Sequence, residues 1–114
     1  MSTISATQQG VVLNLLSAVT TGTSPSVVIP STKKNPVIQV TGSGTITGGT
    51  IILEEAFDPA YAGTWSQLAS ITASTLTGGV IQNYHFLGSL VAVRARISSD
   101  ITGGGKISVD IIGA

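Results

Sequence analysis

The chain has no cysteine, one histidine and only five aromatic residues (one Trp, two Tyr, two Phe) in 114 positions. Only 9% of its side chains are charged, against about 25% in an ordinary domain. Each shortage excludes something. Without Cys there is no disulfide framework and no thiolate to hold a metal or attack a substrate. With a single His, a clustered zinc site has no ligand set. Five acidic and five basic residues cancel to a formal net charge of zero. The basic footprint of an electrostatic nucleic-acid binder is therefore missing, as is the polybasic patch of a membrane-surface protein. No apolar run approaches the roughly 20 residues that cross a bilayer. The first residues, Met1 to Ser5, carry no Lys or Arg ahead of the apolar stretch at 11–16, so no secretory signal is read. The expectation is a protein made in a cytoplasm, with neither a membrane nor a nucleic acid among its partners.

Against these absences stands an apolar fraction of 42% and a mean hydropathy of +0.47, too high for a disordered tail. The apolar set is dominated by 13 Ile and 11 Val against 8 Leu, and 15 Thr and 14 Ser accompany it. β-Branched side chains lose rotamer freedom in a helix and pack well on a pleated surface. Fourteen glycines punctuate the runs. Composition alone predicts an all-β chain.

Patterning agrees. Residues 1–9 are polar and without period, and read as a flexible N-terminal arm; residues 10–114 read as one domain. Residues 10–16 form an apolar segment too short for periodicity to separate strand from helical turn. Short strands follow at 26–29, ended by Pro30, and at 37–41, 50–55, 65–72 and 80–87. The clearest is 90–97, where Val91, Val93, Ala95 and Ile97 share one face and Arg94 and Arg96 the other. In 106–112 Ile107, Val109 and Ile111 turn inward, Ser108 and Asp110 outward. Three connections repeat Thr-Gly-Gly, at Thr47, Thr77 and Thr102, where glycine supplies the positive φ of tight hairpins. Seven to eight short strands with turn signals about every 8–12 residues predict an antiparallel β-sandwich of jelly-roll type.

Reactive chemistry finds no home in this pattern. His85 lies out of phase with Tyr84 and Phe86, which places it at the surface rather than beside a nucleophile. Residues 42–49 are glycine-rich, yet lack the Gly-Lys-Ser/Thr ending of a phosphate loop. Glu54 and Glu55 are adjacent, so on a strand they point to opposite faces and cannot form a catalytic carboxylate pair. Either one with Asp58 is a weaker option for calcium; pairing with Arg94 or Arg96 across strands is the ordinary use. No catalytic residue, metal site or cofactor is expected. Phe57, Tyr61 and Trp65 fall within nine residues around one loop, and large aromatics of this kind favour interfaces. With Tyr84, the Tyr61 and Trp65 rings would otherwise serve as stacking platforms for a sugar.

One stretch of sequence resembles a known family. A strand ending in Glu54-Glu55, a loop, Gly63-Thr64-Trp65, a Leu68–Thr72 strand and then the run from Leu90 to Ile97 are similar to small β-sandwich virion proteins of tailed bacteriophages. The likeness covers residues 36–112. Such proteins decorate and cement capsids or act as head and neck accessories. The resemblance implies a non-enzymatic virion protein, synthesised in the host cytoplasm, that stabilises the head by binding the major capsid protein. It also implies a homo-oligomer, with a trimer first. A neck or tail accessory is the alternative position, and a carbohydrate-binding module the alternative activity. Phe57, Tyr61, Trp65, Arg94 and Arg96 are the candidate interface residues.

Overall fold

The computed structural model describes residues 11–29, 35–86 and 92–113. The expected arm at 1–9, Leu87, Leu90 and Val91, expected on the inward face, lie outside the described residues. Eight strands form: β1 (Val11–Val19), β2 (Val27–Val28), β3 (Val37–Ser43), β4 (Gly48–Ala56), β5 (Ser66–Thr72), β6 (Ile81–His85), β7 (Ala92–Thr102) and β8 (Lys106–Gly113). A 3₁₀ turn, Ala73–Leu76, precedes β6. Of the segment at 10–16, ambiguous in sequence, residues 11–16 belong to β1 and Gly10 lies outside the described residues.

The strands make two four-stranded antiparallel sheets, ordered β1-β8-β3-β6 and β2-β7-β4-β5. The pairs β1–β8, β2–β7, β3–β6 and β4–β5 each sum to nine. That is the signature of one long hairpin rolled up on itself, closed by β3–β8 and β4–β7. The expected jelly-roll sandwich is the observed fold.

The core follows the two-residue period. Val93, Ala95 and Ile97 of β7 and Ile107, Val109 and Ile111 of β8 are buried in one cluster with Ile38, Val40, Ile51 and Leu53. Close backbone approach also shapes it. A Cβ on Gly42 would run into the carbonyl oxygen and Cβ of Leu76, so glycine lets the 3₁₀ turn seat directly on β3.

The Thr-Gly-Gly segments do not form the hairpins expected of them. Each lies where the chain passes from one sheet to the other: β3 to β4, β5 to β6 and β7 to β8. Their glycines do adopt positive φ at Gly49, Gly78, Gly79, Gly103 and Gly104. They act as corners and meet at one end of the sandwich. There the Thr47 N–H donates to the Thr102 carbonyl at 2.8 Å, the Gly78 N–H to Gly44 at 2.9 Å and the Gly105 N–H to Thr45 at 2.7 Å. Among the described connections, only β4 to β5 turns back within its own sheet. Its loop, residues 57–65, therefore projects from the opposite end, about 25–30 Å away along β4 at the rise of an extended strand.

Candidate functional site

The outer face of β4 and β7 carries an ion cluster. Glu54 sits directly opposite Arg94, and Ile52 opposite Arg96, so Glu54 reaches one guanidinium straight across the ladder and the other on the diagonal. The Arg94 Nε–H donates to Glu54 Oε1 at 2.7 Å. Arg96 donates through Nε to Oε1 at 3.3 Å and through Nη2 to Oε2 at 3.5 Å. Glu54 is 3% exposed, and the Arg94 and Arg96 side chains 23% and 39%. The expected cross-strand pairing is present, and both Glu54 oxygens are spent on arginine.

Trp65 closes the cluster. It is buried, with the Arg94 guanidinium carbon 4.3 Å from its ring centroid, a cation–π contact shielded from water. Its indole N–H donates to the Tyr61 carbonyl at 2.9 Å. The loop is pinned elsewhere too. The Tyr61 N–H bonds the Asp58 carbonyl at 3.0 Å, and the Asp58 carboxylate accepts from the Ala60 N–H at 2.9 Å. The Ser26 hydroxyl donates to the Pro59 carbonyl at 2.8 Å. The Tyr61 ring lies where a Cβ of residue 63 would be, so Gly63 is the residue that lets it fold flat.

On this fixed loop stands Phe57, 90% exposed, with Tyr61 beside it at 49%. A groove of about 320 Å³ runs between Phe57, Tyr61, Glu55, Asp58, Thr64 and Ser66. An apolar ring left almost wholly in water on a rigid support is the form an interface anchor takes.

The five candidate interface residues thus divide. Phe57 and Tyr61 are at the surface and Trp65 is buried; Arg94 stacks on the Trp65 ring, and Arg96, partly exposed, joins them through Glu54. Trp65 is not available as a stacking platform, and Tyr84 stands on β6 of the other sheet, so Tyr61, Trp65 and Tyr84 are not brought together. His85 is exposed on β6. Among the described residues no three His, Cys, Asp or Glu side chains cluster as a metal site, and Glu54 is already committed to arginine. The sequence marks Glu55 as a candidate but not Thr64 or Ser66, because only the β4–β5 pairing of Glu55 with Ser66 brings these polar groups together at the groove.

Among the described residues Tyr84 has the shifted titration. Its hydroxyl donates to Gln82 Oε1 at 2.7 Å, and burial pushes its phenol above the ordinary value of 10.0. The folded chain therefore holds this proton more tightly than the unfolded chain does. The stabilisation is complete below about pH 10 and is lost as pH rises through the raised folded value. Melting temperatures measured from about pH 9 to about pH 11 are expected to fall more steeply for the native chain than for Tyr84→Phe.

No family model matches the chain, and no curated protein does. Solved structures share its fold. The SPBc2 prophage-derived protein YomS superposes with a TM-score of 0.60 at 15% identity, over 91% of both chains. The PBSX exported protein XepA gives 0.55 at 13% identity over 91% of this chain, which spans only 37% of XepA. The C-terminal CBM6 of LamC, a laminarinase from Zobellia galactanivorans, gives 0.47 at 15% identity over 84% of this chain and 76% of that one. At these identities the likeness is one of fold.

Proposed function

We propose that this chain is a non-enzymatic structural protein of a bacteriophage virion, a capsid decoration protein that binds the assembled head as a homo-oligomer and stabilises it. The observation that carries the reading is Phe57, held 90% exposed on a loop braced by Trp65 and the Arg94–Glu54 pair beside it. Such an anchor makes a contact, not a reaction. The sequence resemblance to small virion β-sandwiches supports the same reading, and so does a fold shared with a prophage-derived protein. The partner is the major capsid protein; the arm at residues 1–9 lengthens the contact, and the resemblance favours a threefold arrangement of copies. Each anchor contributes little alone, but copies linked in one assembly multiply their hold on the shell. Purified protein is expected to co-sediment with capsids of the phage that encodes it and to raise their disruption temperature. Protein that stays in the supernatant overturns the reading. A low copy number per virion would instead move it to the neck or tail.

A second reading has one observation in its favour. The groove sets two exposed aromatic rings beside the Glu55 and Asp58 carboxylates, a combination that also holds sugars by stacking and hydroxyl hydrogen bonds. A glycan array distinguishes it: signal that is lost in Tyr61→Ala makes the chain a carbohydrate-binding module.

A further inference from the structure

The two flanks of the sandwich are finished differently. On one, β2 pairs with β7 for only two residues. β1 slips register against β8 twice, and Ala18 there sits at φ 49°. Residues 20–24 then run on along β7: the Ile101 N–H donates to Thr20 at 2.9 Å, the Ile97 N–H to Gly22 at 2.9 Å and the Ser24 N–H to Ala95 at 2.8 Å. Short, bulged and covered edges are how sheets avoid pairing with other chains.

The other flank, formed by β5, the 3₁₀ turn and β6, has little of this protection. β5 carries one register shift against β4, but β6 keeps an unbroken five-residue register with β3 and is, among the described residues, the last strand of its sheet. The sequence contains no Asp, Glu, Lys or Arg anywhere from residue 59 to residue 93, so the whole flank lacks the charges that usually guard an open edge. The margin of the core shows through it. Leu68, Tyr84 and Phe86 pack on the core yet stay only partly buried, and Val80 and Ile81 are 45% and 53% exposed.

We propose that this flank is a contact face between copies of this chain, with β6 offering its outer backbone edge to a strand of the second copy. The inference rests on the self-assembly part of the proposed function and names the surface that performs it. A partner of either charge finds no complement here, whereas like meets like without repulsion. The strand is also self-complementary. Antiparallel pairing of two copies about Asn83 sets Ile81 against His85 and Gln82 against Tyr84. The exposed positions 81, 83 and 85 then continue one face, and the half-buried 82 and 84 the other, as the two-residue period requires.

The test is the native mass of the full chain by light scattering. The wild type is expected above the 11.5 kDa of one chain. Asn83→Lys combined with Ser70→Lys puts cations at two exposed positions of the flank and is expected to bring the mass down to one chain, with circular dichroism and melting temperature retained. Ser98→Lys, exposed on β7, is expected to change nothing. Hydrogen exchange at the β6 amides gives an independent readout, slow in the wild type and fast in the double variant. A monomeric wild type overturns the proposal, as does a double variant of unaltered mass. Capsid co-sedimentation on the same samples separates this idea from the virion reading. A monomer that still co-sediments ends the contact face alone. An oligomer that the lysines dissociate, but that never co-sediments, upholds the face and ends the virion reading.

Discussion

Glu54→Ala is expected to lower the unfolding free energy by about 2–4 kcal/mol and the melting temperature by roughly 10–15 °C, measured by thermal and urea denaturation. The cause is what the substitution leaves behind. Glu54 is 3% exposed and is the one acceptor shared by two guanidinium groups. Without it, Arg94 keeps its charge under Trp65 with no counter-ion, and a void opens on the outer face of the sheet. Loss of one member of a fully buried pair costs about 3–5 kcal/mol; partial exposure of the arginines brings the figure down, since water screens what remains. The neighbouring residue is the control. Glu55 lies on the other face of β4, and among the described residues no ion pair involves it, so Glu55→Ala is expected within about 0.5 kcal/mol of wild type. Equal losses at the two positions would show that the cluster contributes nothing specific. Replacing Glu54, Arg94 and Arg96 together by Leu and Met is expected to recover most of the stability, because removing every charge leaves none unpaired.

How far the sequence foretells this site depends on the range of the signal. The two-residue period marks the buried faces of β7 and β8 and sets Glu54 and Glu55 on opposite sides of β4, without saying which of them meets the arginines. All of that is local alternation, and it survives folding intact. The Thr-Gly-Gly segments show the limit. Their glycines take positive φ as turn chemistry requires, but nothing local says whether the next strand joins the same sheet or the facing one. A hairpin expectation therefore becomes a corner. Trp65 fails as a surface residue for a similar reason. Its neighbours in sequence are polar, and the contact that the structure shows over its ring is with Arg94, some thirty positions away. The uncharged run from residue 59 to 93 is visible in the sequence, yet it acquires meaning only when β5 and β6 are seen to border the same flank.

Phe57→Ala is expected to weaken capsid co-sedimentation by about 30-fold, the equivalent of about 2 kcal/mol for a central aromatic anchor, while leaving stability within about 0.5 kcal/mol of wild type. The two halves of this expectation follow from one number. A ring that is 90% exposed touches almost nothing in its own chain, so its removal opens no cavity. The same exposure is costly to keep in water, and it is relieved only when another surface covers the ring. Phe57→Trp is expected to retain binding and Phe57→Asp to abolish it. Glu54→Ala supplies the complementary measurement. It leaves Phe57 in place but slackens the Arg94–Trp65 brace beneath the loop, so it is expected to reduce binding and stability together, because a loosened loop must be re-ordered at each contact. If Phe57→Ala binds capsids as the native chain does, the loop is not the docking tip. A loss of binding in Glu54→Ala would then have to arise from global unfolding, which the melting curve of that variant reads directly.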